Sequence, residues 1–398
     1  MQKVLIEFLD TENIENIISL LKQSFDKVVY FYSPDDFDNF EELKKNLSKF
    51  IRKRFLIAPK FISIDKYSFD LIAKSLSDEI QEENEYTIDI TGGSAVFISA
   101  SGYLAAKAGY RNIKIQHFEI ESGRKVLCYP SSKEEENEFD KNLSVEETVQ
   151  LNEAIVDKSK GKIKYNLSEG NLEGEILRLW KAVGNIPRQW NNFCVMAHTY
   201  SCKFGKKAVK RIYDTERDKE IYREVASKLK KYGIISGERT EYMDGKLYIV
   251  YNLEVSDNAF FLYDKGGTIL EMYTYLTATK SRMFTDICVG VPVDWDGESH
   301  SDNSETTNEI DLLLMSKHIP IYISCKNKVA ENAYLYEIKA LYSHYCGKYA
   351  KTVLITNSDT PMSIKNRASD MGIILIDNVG KLSFEKFMYR LEEITGRS

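Results

Sequence analysis

The chain has 398 residues, of which 43% are hydrophobic and 29% are charged. This length suits two or three domains, and the composition excludes a disordered chain. No apolar run approaches the roughly 20 residues that a membrane-spanning helix needs, so no membrane partner is expected. The formal net charge is -6, so the overall charge does not attract nucleic acid, and any such contact must use a local basic patch.

The cysteines indicate a cytoplasmic location. The chain has 6 of them, none in a CxxC pair, which is typical of reduced thiols rather than of a disulfide framework. The first residues, MQKVLIEFLDTEN, lack the basic, apolar and small-residue order of a signal peptide.

The first third of the chain alternates strand-like and helix-like segments. Apolar segments of helical period separate most of the short β-branched or aromatic runs. Such alternation predicts a parallel, Rossmann-like sheet covered on both faces, with ligands at the carboxyl ends of the strands. The predicted strands are 3–9, 27–32, 61–65, 86–90 and 113–118.

A glycine turn, Asp89-Ile90-Thr91-Gly92-Gly93-Ser94, leads from one predicted strand into a helix that continues to about Ala108. The two glycines allow a tight turn, and Ser94 can cap the helix, whose free N–H groups attract an anion or a phosphate. The alternative is a strand–turn–helix without a ligand. The turn is not the GxGxxG fingerprint, so NAD is not predicted.

Together with the polar loop 10–13 after the first strand, this turn resembles the CRISPR-associated Rossmann fold (CARF) domain over about residues 1–130. Members of that family bind cyclic oligoadenylate across a homodimer. The resemblance implies a ligand pocket lined by the first loop and the glycine turn. The residues carried over are Asp10, Thr11, Thr91, Gly92, Gly93 and Ser94.

The middle of the chain is predicted to be a small basic segment. Residues 131–147 are polar and acidic, as in a linker, and residues 203–231 hold 11 lysines and arginines against 5 acidic residues. A helix and a hairpin with a tight Asp244-Gly245 turn follow. This order resembles a winged helix, and the alternative is a small basic scaffold. The predicted domains are 1–145, 146–254 and 255–398.

Cys194, His198 and Cys202 recur every four residues, as on one stripe of a helix. The spacing invites a metal site, but a structural zinc site normally needs four ligands and closely spaced cysteine pairs. Packing of small residues on a helix is therefore the favoured interpretation.

Segments 308–315 and 319–327 predict a hairpin of central strands. Glu309 and Asp311 project to one face of the first strand, and Ser324 and Lys326 share a face of the second. Charges on buried strands are costly unless they are paired or bind a metal. A site for Mg²⁺ or Mn²⁺ is expected, and the alternative is an Asp–Lys salt bridge.

The spacing D-x₁₂-S-x-K, with a helical glutamate ahead of it, resembles the PD-(D/E)xK nuclease family over about residues 255–398. The resemblance implies that Glu271 is the helical acid, Asp311 the hairpin acid and Lys326 the lysine. Glu271 and Asp311 would bind the metal, with the main-chain carbonyl of Cys325 as a further ligand.

Ser324 departs from the family pattern, which usually has Asp or Glu there. Glu309, or Glu337 on the next predicted helix, is expected to supply the missing carboxylate. Because Cys325 lies between Ser324 and Lys326 on the strand, its side chain points away from the acidic face. A cysteine nucleophile is therefore not favoured.

A CARF-like domain joined to a nuclease-like domain resembles the ancillary effectors of type III CRISPR immunity. The resemblance implies a cytoplasmic homodimer in which cyclic oligoadenylate, commonly the tetra-adenylate, activates metal-dependent hydrolysis of RNA or DNA. Two alternatives are a ligand-controlled DNA-binding regulator, which would use the wing-like hairpin, and a ring nuclease that degrades the cyclic nucleotide.

Overall fold

The computed structural model describes residues 1–107, 112–130, 133–135, 141–200, 207–211, 216–243, 246–295 and 308–396. Within these ranges, none of the helices has the length and apolar character to cross a lipid bilayer.

The N-terminal region is a seven-stranded sheet in the order β3-β2-β1-β4-β5-β6-β7, in which β1 to β5 are parallel and β6 and β7 are antiparallel. This arrangement confirms the predicted Rossmann-like sheet. Its strands are β1 (Lys3–Phe8), β2 (Lys27–Tyr32), β3 (Lys60–Ser63), β4 (Glu85–Asp89), β5 (Ile113–Glu119), β6 (Arg124–Tyr129) and β7 (Lys133–Glu135). Its helices are α1 (Ile18–Lys22), α2 (Phe40–Phe55), α3 (Phe69–Glu79) and α4 (Ala95–Lys107).

A four-stranded antiparallel sheet occupies the middle of the chain, in the order β11-β12-β10-β9. The predicted helix and hairpin are present as α8, β11 and β12, while the turn at 244–245 lies outside the described residues. Its strands are β9 (Ala197–Tyr200), β10 (Lys207–Arg211), β11 (Ile235–Met243) and β12 (Lys246–Leu253), and the preceding strand of the chain, β8 (Ile155–Val156), lies outside this sheet. The helices are α5 (Val145–Leu151), α6 (Leu172–Val183), α7 (Pro187–Met196) and α8 (Glu216–Lys231).

The helical stripe expected for Cys194, His198 and Cys202 is wrong. Helix α7 ends at Met196, and His198 lies in β9, paired with Val209 of β10. Cys194 is buried in the core, and Cys202 lies outside the described residues. A change from helix to strand between the first two positions removes the common face on which the spacing argument depended.

The C-terminal region is a six-stranded mixed sheet in the order β17-β16-β15-β14-β13-β8. The hairpin of β14 and β15 is central to it, as predicted, with an antiparallel register that pairs Leu312 with Ile323. The strands that follow β8 are β13 (Asp286–Asp294), β14 (Asn308–Ser316), β15 (Ile319–Lys326), β16 (Lys351–Thr356) and β17 (Ile373–Ile376). The helices are α9 (Thr268–Ser281), α10 (Asn332–Tyr345), α11 (Met362–Asp370) and α12 (Phe384–Glu393).

Two predicted boundaries need correction. Part of the expected linker forms β7, and the segment from Ser144 begins α5 through a capping box with Glu147. Strand β8, assigned from the sequence to the middle segment, pairs with Val293 and Asp294 of β13 and so belongs to the C-terminal sheet. A strand of two residues is too short to produce a recognisable period-2 pattern.

The N-terminal and C-terminal sheets share a hydrophobic core. One buried cluster contains Leu5 of β1, Leu47 of α2, Val149 of α5 and Leu313 of β14. Helix α5 therefore lies between the two sheets, and apolar residues on both sides of it are buried in the same core. Such a shared core fixes the position of one sheet relative to the other.

Strands β1 and β4, which lead to the predicted ligand loops, carry two buried carboxyl groups. Glu7 and Asp89 are opposite each other in the register of the two strands, and they are 3% and 2% exposed. Burial, and then the charge of Asp89, raises the pKa of Glu7 well above its ordinary value.

The substitution Glu7→Gln should therefore stabilise the protein at high pH. The folded chain retains a proton on Glu7 that the unfolded chain releases, so stability falls as pH rises above the ordinary carboxyl pKa, by about 1.4 kcal/mol for each unit of elevation. Thermal unfolding should show a higher Tm for Glu7→Gln than for the wild type at pH 8, and little difference at pH 4. Glu83→Gln, at an exposed position, is the control. A difference in Tm that does not change with pH would contradict this account.

Candidate functional site

The β14–β15 hairpin brings the predicted acid and lysine strands together. Its register places Asp311 opposite Ser324, two residues before Lys326. The connection turns at Lys317, whose φ is 61°. Leu312 and Ile323 are buried in the core that contains α9, whereas Ile310 lies in the core shared with the N-terminal sheet.

The Asp311 carboxylate is held by the neighbouring strand. Its Oδ2 atom accepts a hydrogen bond of 2.7 Å from the main-chain N–H of Cys325 and one of 3.2 Å from Ser324 Oγ. Burial raises the pKa of Asp311, while these bonds and the charge of Lys326 act to lower it. Ser324, where the family pattern usually has Asp or Glu, thus provides a side chain that orients the Asp311 carboxylate.

Glu271 lies in the first turn of α9. Burial, together with the negative charges of Asp311 and Glu309, raises its pKa to about 8, and the charges of Lys265 and Lys326 act in the opposite direction. These mutual effects place three carboxyl groups and Lys326 within electrostatic range of one another. The repulsion between groups of like charge at this range is relieved either by a proton on one of them or by a bound cation.

The absence of a side chain at Gly290 leaves space for the Glu309 carboxylate. Gly290 has a φ of +57° and lies between the pairs Val289–Leu312 and Val291–Ile310. A Cβ atom at this position would stand 3.3 Å from Glu309 Oε1. Both the left-handed backbone and the close carboxylate therefore favour glycine here.

Glu271 and Glu309 open into one cleft of about 280 Å³. Glu337 does not line this cleft. Its side chain is exposed on α10. Among the described residues, no group of three or more His, Cys, Asp or Glu side chains has the arrangement of a metal cluster. The other residues that line the cleft are Lys160, Gly161, Lys162, Tyr165, Phe261, Thr268, Met272, Val289, Gly290 and Pro292.

The Cys325 thiol faces the core. Its Sγ atom lies 3.9 Å from Thr274 Oγ1 of α9, and burial raises the pKa of the thiol well above its ordinary value. A thiol that remains protonated is a poor nucleophile. Lys326 lies on the other side of the strand, with Nζ 5.6 Å from the centre of the Tyr334 ring.

A second cleft, of about 460 Å³, lies at the carboxyl ends of the N-terminal strands. Asp10, Thr11, Gly93 and Ser94 line it. Thr91 lies behind the cleft, where its hydroxyl accepts a hydrogen bond of 2.9 Å from the Phe118 N–H.

The glycine turn packs tightly under this cleft. A Cβ atom on Gly93, which has a φ of +99°, would stand 2.8 Å from Phe8 Cβ. A Cβ atom on Gly92 would be 3.1 Å both from Asp10 Cβ and from Glu15 Oε2. Ser94 Oγ accepts a hydrogen bond of 3.2 Å from the Phe97 N–H and so caps α4, whose N-terminus faces the cleft.

Sequence reasoning missed the opposite side of this cleft, which is lined by Asp36, Phe37, Lys66 and Tyr67. Lys66 forms an ion pair with Asp36, and its Nζ atom lies 5.3 Å from the centre of the Tyr67 ring. These residues follow β2 and β3, so the rule that ligands bind at the carboxyl ends of parallel strands could have found them.

The loop after β1 also contacts the C-terminal domain. The Lys348 main-chain N–H donates a 3.0 Å hydrogen bond to Glu12 Oε2, and Lys348 Nζ lies 2.7 Å from Glu15 Oε1. The Tyr349 hydroxyl donates to Glu15 as well. The Glu15 side chain is 4% exposed and the Lys348 side chain is 54% exposed, so the carboxylate is buried while the ammonium reaches solvent.

A second contact joins the two domains at the start of β15. His318 Nε2 lies 2.6 Å from the Ile120 carbonyl oxygen, and Ile319 packs with Ile18 and Phe118. Burial lowers the pKa of His318 to about 4, so the ring is neutral at pH 7. Strand β15 carries Lys326, and β16 is its neighbour. Both strands are thus attached to the N-terminal domain at their amino ends.

No protein-family model matches the chain, and no curated protein matches it by sequence. Among solved structures, the fold is similar to that of protein VC1899 from Vibrio cholerae, with a TM-score of 0.73 at 14% identity over 100% of this chain and 99% of that chain. It is also similar to Can2 from Sulfobacillus thermosulfidooxidans in complex with cyclic tetra-adenylate, with a TM-score of 0.65 at 12% identity over 99% of each chain.

A third similar structure is a type III CRISPR defence DNA nuclease activated by cyclic oligoadenylate. Its TM-score is 0.54 at 11% identity, over 100% of this chain and 52% of that chain. At these identities the similarity establishes the fold. The resemblance to CARF-containing CRISPR ancillary nucleases is thus confirmed for the overall architecture.

Proposed function

We propose that the protein is a nuclease of type III CRISPR defence that cyclic oligoadenylate activates. The observation that carries this proposal is that Glu271 and Glu309 line one cleft, where the charges of Asp311 and Lys326 also act on Glu271, while a separate cleft lies at the carboxyl ends of a Rossmann-like sheet. The substrate would be single-stranded RNA or DNA, or plasmid DNA that is nicked.

The donor set of the acidic site suits Mg²⁺ or Mn²⁺, which prefer oxygen ligands. Glu271, Asp311 and the Cys325 main-chain carbonyl would hold the ion, since repulsion between the two buried carboxylates favours a bound cation. When bound, such a cation supplies Lewis-acid polarisation of the phosphodiester. Lys326 would orient the attacking water and offset the negative charge that develops on the phosphate, and Ser324 would keep Asp311 in position.

Cyclic tetra-adenylate suits the N-terminal cleft on chemical grounds. The N-terminus of α4 and the Lys66 ammonium favour phosphate groups, and the Tyr67 and Phe37 rings can stack on adenine. Asp10, Thr11, Gly93 and Ser94 would contact the ligand, with Thr91 and Gly92 holding the turn beneath it. The CARF resemblance implies that two chains form a homodimer around one ligand.

Glu15 is placed to transmit ligand binding to the nuclease domain. Its carboxylate lies against Gly92 on one side and holds Lys348 and Tyr349 on the other. Strand β16 begins at Lys351 and runs parallel to β15, with Thr356 beside Lys326. A shift of the first loop can therefore alter the position of Lys326 through one packed sheet, provided that the ligand favours one of two arrangements.

Activity should require both the ligand and the acidic site. With Mn²⁺, we expect hydrolysis of single-stranded RNA, single-stranded DNA or supercoiled plasmid only when cyclic tetra-adenylate is added. Asp311→Asn and Lys326→Ala should each lower the turnover number by about 100-fold or more, because charge stabilisation in the transition state is lost. Glu337→Gln, an exposed acid on α10, is the control and should retain activity.

Other results of this assay would contradict parts of the proposal. Cleavage without the ligand would overturn the activation step alone. Metal-independent binding of a specific duplex without cleavage would favour a DNA-binding regulator. Loss of cyclic tetra-adenylate over time in the Asp311→Asn variant would indicate a ring nuclease at the N-terminal cleft.

Metal affinity should increase with pH. Because the pKa of Glu271 is raised to about 8, a cation must displace a proton at lower pH, so the affinity for Mn²⁺ should fall about tenfold for each pH unit below 8. Calorimetry at pH 6.5, 7.5 and 8.5 measures this trend. Glu271→Gln should bind weakly at every pH, and Glu331→Gln, an exposed acid, should behave as the wild type. An affinity that is independent of pH in the wild type would contradict the role of Glu271.

The substitution Glu15→Gln should uncouple the two sites. Loss of the ion pair between the buried Glu15 carboxylate and the exposed Lys348 ammonium should reduce activation by cyclic tetra-adenylate about tenfold, within the usual range of coupling free energies. Calorimetry should still detect ligand binding, and Lys348→Ala should have the same effect. Glu41→Gln, which removes a surface pair with Lys44, is the control. Full activation of Glu15→Gln would refute this route.

A further inference from the structure

A short lysine-rich loop stands beside the acidic site. We call residues 158–162, with the sequence Lys-Ser-Lys-Gly-Lys, the basic loop. On its amino side the Asp157 N–H donates a 3.0 Å hydrogen bond to the Pro292 carbonyl, and on its carboxyl side the Ile163 carbonyl accepts one of 2.9 Å from the Val289 N–H. Both anchors are on β13, on either side of Gly290.

This attachment fixes where the lysines lie. Gly290 is between the two anchors and is also the residue that accommodates Glu309. Lys160 and Lys162 consequently line the same cleft as Glu271 and Glu309. Both lysines are exposed, so their charges are accessible from solvent.

Lys158 belongs to the same loop but lies apart from the cleft. Its Nζ atom is 2.8 Å from Glu146 Oε1, on the first turn of α5. The loop therefore divides its charges: Lys158 pairs with α5, whereas Lys160, whose Nζ atom also lies 3.8 Å from Asp157 Oδ2, and Lys162 line the cleft that holds Glu271 and Glu309. This division provides an internal comparison for experiments.

The acidic residues repel the negative charge of an incoming phosphodiester. Glu271, Glu309 and Asp311 all carry carboxyl groups, and the cations whose charges act on Glu271 are Lys265 and Lys326. A bound strand also brings phosphates on both sides of the scissile one, each with a negative charge. Cations on the facing wall of the cleft would reduce this repulsion, and Lys160 and Lys162 have that position.

An aromatic pair adjoins the basic loop in the cleft. The rings of Tyr165 and Phe261 stack with centres 5.1 Å apart, and Lys162 Nζ lies 5.1 Å from the centre of the Tyr165 ring. Both aromatic residues line the cleft and are half-buried. Alternation of cations and aromatic rings along a groove is typical of sites that bind the backbone and bases of single-stranded nucleic acid.

We propose that the basic loop is a substrate-binding wall of the nuclease cleft, in which Lys160 and Lys162 bind phosphates next to the scissile one and hold the strand across Glu271 and Glu309. This inference rests on the proposed nuclease function. It adds residues from a segment that precedes the nuclease domain in the sequence and lies outside the family motif.

The test compares Lys160→Ala/Lys162→Ala with Lys158→Ala in the full chain. With cyclic tetra-adenylate, Mn²⁺ and a fluorescein-labelled single-stranded oligonucleotide, the double variant should have a KM about tenfold higher and a kcat within about twofold of the wild type, because phosphate binding is lost while the chemical groups remain. Lys158→Ala should have wild-type constants, and Lys160→Arg/Lys162→Arg should restore the KM.

A salt titration gives a second readout that a structural defect would not produce. In Asp311→Asn, which should bind the oligonucleotide without cleaving it, the plot of log Kobs against log salt concentration should become shallower by about 1.4 when both lysines are replaced, about 0.7 for each lost phosphate contact to a single strand.

The outcomes separate the two proposals. If the wild type cleaves and the double variant matches Lys158→Ala in KM and in salt slope, the role of the basic loop is wrong and the nuclease proposal stands. If the wild type does not cleave, the nuclease proposal is wrong, and an unchanged salt slope in the binding experiment would overturn the basic-loop proposal as well.

Discussion

The acidic site depends on the antiparallel register of β14 and β15. That register lets the Cys325 main-chain N–H and the Ser324 hydroxyl bind the same oxygen of Asp311. A shift by one residue would send Asp311 to the core and replace it with an apolar side chain. Because Lys326 follows on the same strand, the register also sets its distance from the acids. The neighbouring residues Leu312 and Ile323 are buried in the core under α9, and this burial makes the register unambiguous.

The two sides of the loop after β1 contact different parts of the protein. Asp10 and Thr11 face the N-terminal cleft, whereas Glu12 and Glu15 contact the segment before β16. The loop is short, and Glu15 is packed against the glycine turn, so it has little freedom to move on one side only. Under the proposed function, both sites would bias this packed element, which is how ligand binding and hydrolysis would be coupled.

Much of the local structure could be predicted from sequence. The parallel sheet, the glycine turn and the hairpin of 308–315 and 319–327 all follow from short-range patterns, and the structure confirms them. The failures occurred where the pattern was too short or changed type. His198 lies in a strand immediately after a helix, and β8 has two residues, so neither could be read from periodicity. The resemblance to known families added Glu271, whose partners are far away in the sequence.

The sequence by itself determined which residues alternate on the strands, where the turns lie and which side chains can carry the chemistry, because these properties depend on neighbours within a few positions. Only the tertiary structure decided which distant segments meet. It placed Glu271 and Glu309 in one cleft, joined Glu15 to Lys348 and attached the basic loop to β13. These contacts depend on how large apolar surfaces pack into a shared core, and residues separated by tens to hundreds of positions carry no local pattern that would reveal their proximity.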